Sequence, residues 1–227
     1  MEDALENIPI LPIPNVVFFP NTSLPLFVVE PLYVQLIYDC IENNTPLGIA
    51  MADTDTFYNT GRLKPKNICG IGKPIILEEL DDGSLKILIR GVGRVQLMHQ
   101  EQHLPYPVYS VERYYDRSNV ASSQSRHIAR LKTILDEWLH QNIPDSIERE
   151  AFLRTLSSIY HVVDYICMFL IQDKELRQLL LENDSLNERI YMLDILLRDE
   201  NPFNEDLIVV SAIKEFEQLE KFEKVGH

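Results

Sequence analysis

The period of the hydrophobic residues changes once along this chain, near Tyr115. Before that point, short apolar and β-branched runs alternate with turn residues, which is typical of β-strands. After it, from Ile128 to Leu139 and beyond, apolar residues recur every three or four positions, which is typical of amphipathic helices. The pattern predicts an α+β protein, with a β-rich lobe at residues 1–116 and an α-helical lobe at residues 117–227.

The opening segment, PNVVFFPNTSLPLFVVEP, is rich in β-branched and aromatic residues and is interrupted by prolines. It predicts two strands, Val16–Phe19 and Leu24–Val29, joined by a Pro-Asn-Thr-Ser turn. The prolines are expected to limit pairing at strand edges, where a missing N–H costs little. Acidic residues precede this segment, and no apolar run reaches the roughly twenty residues of a membrane helix, so the sequence predicts neither a signal peptide nor a membrane span.

The aromatic residues of this segment raise a choice between core packing and partner contact. For Phe18, Phe19, Phe27 and Val28 we favour the core over a binding role. The following Glu30-Pro31 pair predicts a helix start, because proline suits the first helical position.

Two further motifs predict local backbone geometry. The apolar runs CGIGKPIILEEL and LKILIRGVGRVQLMHQ flank Asp81–Ser84, and an Asp-Gly pair between such runs predicts a hairpin. The Gly91-Val92-Gly93 motif lies inside the second run and lacks the third glycine of a dinucleotide-binding fingerprint. It predicts a β-bulge or a sharp bend.

The bulk composition and the remaining motifs disfavour several classes of function. A net charge of −14 and a pI near 4.8 disfavour binding to phosphate backbones. Three dispersed cysteines disfavour a disulfide framework or a thiolate zinc site and fit a reducing cytoplasm. Gly72-Lys73 is not a P-loop, and His99–His103 lacks the spacing of a zincin helix. We therefore predict no catalytic residue, no metal site and no cofactor.

The polar loop Asp53–Asn67 contains the candidate binding residues, Phe57 and Tyr58. They lie outside any regular apolar period, so no helix or strand face requires their burial. Aromatic residues on loops are common contact anchors, and we name these two as candidate substrate-binding residues. The alternative is that they fold back and cap the β-rich lobe.

The segments LPIPNVVFFPNTSLPLFVVEPLYVQLI, LGIAM and CGIGKPIILEELDDGSLKILIRGVGRVQLM together resemble, in order and spacing, the amino-terminal substrate-binding domain of the Lon ATP-dependent proteases. The resemblance extends from about Ile10 to Tyr115. The chain departs from the family pattern at Asn21, where members often have Gly, and at Leu32, where many have Arg.

The resemblance implies a PUA-like pseudo-barrel, a helical lobe behind it and the recognition of protein substrates. It also implies a stand-alone bacterial substrate-binding protein, because the ATPase and Ser-Lys peptidase modules of full-length Lon are absent from these 227 residues. The leading hypothesis is a non-enzymatic, cytoplasmic module that binds unfolded or peptide-like protein segments, as an adaptor or holdase. The alternatives are a component, or a fragment, of an ATP-dependent protease acting in trans, and, more weakly, a PUA-like RNA-binding module.

Overall fold

The computed structural model describes residues 6–53, 63–117 and 124–198, and these form two compact units. The first unit comprises the described residues up to Tyr115 together with Asp173–Glu182. The second comprises those within Asp116–Gln172 and from Asn183 onward. The division predicted between residues 116 and 117 remains a prediction about domain organisation.

The first unit contains a closed β-barrel. The strands are β1 (Glu6–Pro14), β2 (Ser23–Val28), β3 (Leu47–Asp53), β4 (Lys64–Pro65), β5 (Ile68–Glu79), β6 (Leu85–Gln102) and β7 (Val108–Arg113). Five of them pair in the order β1, β7, β6, β5, β3, and a parallel β1–β3 pairing closes the ring. The remaining pairings are antiparallel.

The barrel interior is filled by small and branched apolar side chains, as alternation along its strands requires. The buried cluster consists of Ile8, Ile10, Ala50, Cys69, Ile71, Val95, Leu97 and Val111. Five of its eight members are β-branched, which suits a pleated surface.

Strand β6 is 18 residues long and pairs with three other strands of the sheet. Its first part pairs with β2 and β5, and its second part pairs with β5 and β7. The change occurs at the predicted glycine motif, where Gly72 pairs with Gly91 and Ile71 pairs with Gly93, leaving Val92 unpaired with β5. The predicted bulge is thus confirmed. The predicted hairpin is confirmed too, with Gly83 at φ 81° between β5 and β6.

The predicted strand Val16–Phe19 is wrong: these residues are irregular, with Val16 half-buried and Val17, Phe18 and Phe19 buried. The backbone of this segment lies directly against Gly70 and Gly91. A Cβ added to Gly70 would lie 2.1 Å from the Phe18 carbonyl oxygen, and a Cβ added to Gly91 would lie 2.6 Å from the Phe19 carbonyl oxygen. The segment therefore packs over the sheet instead of pairing within it. Asn15 and Asn21 flank it with φ of 65° and 57°. Asn21 thus adopts the left-handed conformation that Asn and Gly accept best.

Two described helices belong to the first unit. Helix α1 spans Pro31–Glu42, with Pro31 at its first position as predicted, and buries Leu36, Ile37 and Cys40. Helix α5 spans Lys174–Glu182 and packs on β5 of the barrel, although it lies in sequence between two helices of the second unit.

The second unit contains four described helices. They are α2 (Ser125–Asn142), α3 (Ser146–Thr155), α4 (Ile159–Phe169) and α6 (Leu186–Leu196). Helices α2, α4 and α6 pack on one another, and the stacked rings of Trp138 and Phe169 lie between α2 and α4 with centroids 6.2 Å apart. The observed β part followed by helices confirms the predicted α+β class. Among the described residues, no helix has both the length and the apolar character needed to cross a membrane.

Candidate functional site

The end of β2 and the start of α1 expose apolar side chains that the core does not use. Phe18, Phe19 and Val28 are buried, as expected, but Phe27 is 60% exposed. The expectation that Phe27 lies in the core is therefore wrong. Val29 is 59% exposed and Leu32 is 37% exposed, so three large apolar side chains face solvent within six residues. We call Phe27, Val29 and Leu32 the β2–α1 surface.

Strand pairing explains why Phe27 faces outward. Val28 lies opposite Leu85, which is fully buried, whereas Phe27 lies opposite the partly exposed Lys86. Successive side chains of a strand point to opposite faces, so burying Val28 turns Phe27 away from the core. Glu30 then adopts an extended conformation as N-cap of α1, and Leu32 falls in the first helical turn.

Side-chain hydrogen bonds hold the elements that carry this surface. Thr22 donates its hydroxyl hydrogen to the Phe19 carbonyl at 2.7 Å, just before β2. In α1, Asp39 accepts a 2.5 Å hydrogen bond from the Tyr106 hydroxyl. Burial, followed by this bond to Asp39, raises the pKa of Tyr106 well above its usual range, so the tyrosine remains a donor at neutral pH. The β2–α1 surface is therefore displayed on an anchored scaffold.

A separate cavity of about 620 Å³ opens in the first unit. Its lining consists of Lys64, Pro65, Lys66, Asn67, Ile68, Gln96, Tyr114 and Glu182. The lining is mostly polar, with two lysines, two side-chain amides and a phenol. Such groups can donate hydrogen bonds to backbone carbonyls or carboxylates of a bound peptide.

The C-terminal end of α5 forms one wall of this cavity and is fixed by two donors. The guanidinium of Arg94, a buried residue, donates to the Leu181 carbonyl at 2.6 Å and lies 5.2 Å from the centroid of the Tyr114 ring. Tyr114 in turn donates its hydroxyl hydrogen to the Glu182 carbonyl at 2.8 Å. Both donors satisfy carbonyls that a helix end leaves unpaired, and the cation suits the negative end of the helix dipole.

The predicted binding residues Phe57 and Tyr58 lie outside the described residues. Sequence reasoning missed the β2–α1 surface, although a signal for it was present. Leu24, Leu26 and Val28 alternate with Pro25 and Phe27, and a strand with this pattern has two unlike faces.

The thiols of Cys40 and Cys69 are buried among the described residues. Burial raises the pKa of the Cys69 thiol to about 12, and burial together with nearby Asp39 raises that of Cys40 to about 12. Both thiols therefore stay protonated and unreactive at neutral pH. Within residues 6–53, 63–117 and 124–198, no group of three or more His, Cys, Asp or Glu side chains is placed to hold a metal ion.

This α+β fold combines a closed barrel, a helix that packs on the barrel and a helical second unit. Proteins of known structure share this fold. The N-terminal domain of the Mycobacterium avium complex Lon protease superposes with a TM-score of 0.65 at 17% identity, covering 86% of this chain and all of that one. The Lon N-terminal domain protein from Xanthomonas campestris superposes with a TM-score of 0.59 at 17% identity, covering 83% of this chain and 97% of that one. At these identities the likeness establishes the fold.

Sequence comparison places the chain within a family. Residues 7–199 match the ATP-dependent protease La (LON) substrate-binding domain, and the chain belongs to that family. A Lon protease from Anaeromyxobacter dehalogenans is 23% identical over 215 residues, which are 94% of this chain and 26% of that protein. A Lon protease from Dictyoglomus thermophilum is 29% identical over 114 residues, which are 49% of this chain and 14% of that protein. The chain thus spans about a quarter, or less, of these relatives, and the suspected kinship with Lon substrate-binding domains is confirmed.

Proposed function

We propose that this chain is a non-enzymatic module that binds unfolded or peptide-like segments of client proteins through the β2–α1 surface. The observation that carries the proposal is the exposure of Phe27, Val29 and Leu32 on an anchored strand end and helix start. Membership in a family of substrate-binding domains supports protein clients as the ligand class. We infer an adaptor or holdase role in the cytoplasm, with no catalytic step in this chain.

The chemistry of the surface favours apolar client segments. Each of the three side chains gains up to about 1.5–3 kcal/mol when it passes from full exposure to full burial. Partial burial of all three in a complex suffices for a weak, reversible interaction, which suits a module that must hold and then release many different clients. The net charge of −14 keeps the loaded module soluble and repels acidic clients.

The test measures client capture by surface variants. Phe27→Ser and Val29→Ser, combined, are expected to weaken binding of a fluorescent apolar peptide about tenfold or more, which is about 1.4 kcal/mol. The same variant should suppress aggregation of a chemically denatured client less well, as followed by light scattering. Folding should change little, because exposed side chains away from special features typically contribute within about 0.5 kcal/mol.

The matched control is Ile147→Ser, since Ile147 is 78% exposed but lies on α3 of the second unit. It should bind clients as the wild type does. Unchanged client binding by the double variant would refute the β2–α1 surface as the site. Loss of binding in Lys64→Glu instead would move the site to the polar cavity of the first unit.

The alternative function is a substrate-binding component of an ATP-dependent protease that acts in trans. The relatives named Lon protease favour it, because the chain matches only a fraction of their length. Co-purification of the chain with an ATPase from native cytoplasm would support this alternative. For either role, the purified chain alone should show no ATP hydrolysis and no peptide cleavage, and ATPase turnover abolished by Lys73→Ala would contradict both.

A further inference from the structure

The second unit contains a cavity lined by a cluster of basic side chains. The cavity has a volume of about 700 Å³ and is lined by Ser125, Arg126, His127, Arg130, Asp194 and Arg198. The first four residues lie in the first two turns of α2, and the last two lie at the end of α6 and just after it. We call this feature the arginine cavity. Its volume falls within the range of about 300–1,000 Å³ that is typical of small-molecule sites.

One buried carboxylate organises the cluster. Asp194 is only 2% exposed. Its Oδ1 accepts a hydrogen bond from Arg130 at 2.8 Å, and its Oδ2 accepts bonds from Arg198 at 2.6 Å and from His127 Nδ1 at 3.0 Å. Burial opposes ionisation of this carboxyl, but the hydrogen bonds from Arg198, His127 and Arg130 outweigh it and lower the pKa of Asp194 to about 2. Asp194 is therefore fully charged at neutral pH.

The charges of the lining do not cancel. Three arginines and one aspartate leave a net charge of +2 when His127 is neutral. The whole chain carries a net charge of −14, so the arginine cavity is a local reversal of the overall sign. Low-dielectric walls around such a cluster focus its field and concentrate anions.

The three arginines differ in what already binds them. Arg130 also donates to the carbonyls of Asp194 at 2.9 Å and Leu197 at 3.0 Å, so its role is to hold the end of α6. Arg198 is positioned by Asp194 while 53% of its side chain stays exposed. Arg126 is exposed and makes no hydrogen bond or ion pair with any residue that the structure describes. Arg126 is therefore the side chain best placed to meet a ligand, and the exposed part of Arg198 lies in the same lining.

We propose that the arginine cavity binds a phosphate group, either as the free ion or as a monoester on a small ligand. A phosphate monoester carries a charge of about −1.5 to −2 at neutral pH and offers three acceptor oxygens. This charge matches the +2 of the lining, whereas a carboxylate would neutralise only half of it. Guanidinium groups also bind phosphate oxygens through two parallel hydrogen bonds, a geometry that a single ammonium does not provide.

The experiment measures binding of inorganic phosphate, O-phosphoserine and acetate to the full chain by isothermal titration calorimetry at matched ionic strength. Inorganic phosphate should bind saturably, and acetate should bind at least tenfold more weakly. Arg126→Gln and Arg198→Gln should each weaken phosphate binding by about tenfold or more, the range expected for loss of a charge-assisted hydrogen bond. The matched control is Arg154→Gln, which removes the same charge from an exposed site on α3 and should bind phosphate as the wild type does.

Arg126→Gln is the decisive variant, because Arg126 has no described partner whose loss would unfold the chain. Its thermal midpoint should equal that of the wild type, which separates lost binding from lost folding. Tighter binding of O-phosphoserine than of phosphate would identify a monoester ligand, and the reverse would identify the free ion. Acetate binding as tight as phosphate binding, no saturation by millimolar phosphate, or wild-type affinity in Arg126→Gln would each overturn the proposal.

Discussion

A buried ion network in the second unit provides a sharp test of how this unit is held together. Arg189 of α6 is 1% exposed, and it donates to Asp164 of α4 at 3.2 Å and to Asp116 at 2.6 Å. The Asp164 side chain is 4% exposed, whereas that of Asp116 is 16% exposed. Water can thus reach Asp116 more readily than Asp164. The perturbation we consider is Arg189→Met, which keeps much of the side-chain volume but removes the cation.

The expected cost follows from the carboxylate that is left behind. Breaking a buried ion pair by removing one partner typically costs about 3–5 kcal/mol, because the remaining charge loses its counter-ion while it stays buried. We expect Arg189→Met to lose this amount at pH 7, mainly through Asp164. The double variant Arg189→Met with Asp164→Leu should recover most of it, since replacing both partners by apolar groups is often neutral or stabilising.

The pH dependence distinguishes a stranded charge from a simple packing defect. Removal of Arg189 penalises only the charged form of Asp164, and an aspartate in the unfolded chain titrates at about pH 3.9. The penalty is then absent below that value, where the carboxyl is protonated in both states, and it grows as the pH rises. In the control Ile190→Ala, the cost of a core cavity should be the same at pH 4 and pH 7, because Ile190 is fully buried and uncharged.

The assay is urea unfolding followed by far-UV circular dichroism at both pH values. A loss below about 1 kcal/mol in Arg189→Met, against the 3–5 kcal/mol expected, would refute the reasoning. The reasoning would also be refuted if the loss of unfolding free energy in Arg189→Met were the same at pH 4 as at pH 7. The same conclusion would follow if the double variant were no more stable than Arg189→Met.

Three further predictions concern single sites. Because the pKa of Asp194 falls from 3.8 to about 2, its contribution of about 2 kcal/mol is present above pH 4 and is lost as the pH falls through 2; Asp194→Asn should abolish this acid-dependent loss in an unfolding series. Gly70→Ala should destabilise the chain by about 1–3 kcal/mol in urea unfolding, because its Cβ would meet a backbone carbonyl at 2.1 Å, whereas Gly93→Ala, with its nearest neighbour at 3.8 Å, should cost much less. Phe57→Ala with Tyr58→Ala should weaken client retention while changing the free energy of unfolding by less than about 0.5 kcal/mol; a larger loss of stability, or unchanged retention, would remove these two residues from the candidate binding residues.

Local features of the fold could be predicted because a few neighbouring residues decide them. Asp82-Gly83 forms the hairpin turn since Gly83 alone supplies the positive φ that the turn requires. Glu30-Pro31 begins α1 because the proline ring presets a helical φ without removing a needed hydrogen bond. The bulge at Val92 follows from the flanking glycines, which permit an irregular strand.

The strand predicted at Val16–Phe19 failed for a non-local reason. Its residue types suit a strand, but β propensity measures the fit to a pleated surface more than a backbone preference. Here the backbone instead lies against Gly70 and Gly91, about fifty and seventy residues further along. Contacts between residues so far apart in sequence cannot be predicted from the local pattern of residue types.

The sequence by itself determined the α+β class, the Asp82-Gly83 hairpin, the start of α1 and the bulge at Val92, because the hydrophobic period and the turn residues act over a few positions. Only the tertiary structure decided which apolar side chains stay exposed and which charges meet. Phe27 faces solvent because Val28 pairs opposite the buried Leu85, and Arg130 reaches Asp194 across 64 residues of chain. Both outcomes depend on how the elements pack, and packing joins residues that are far apart in sequence.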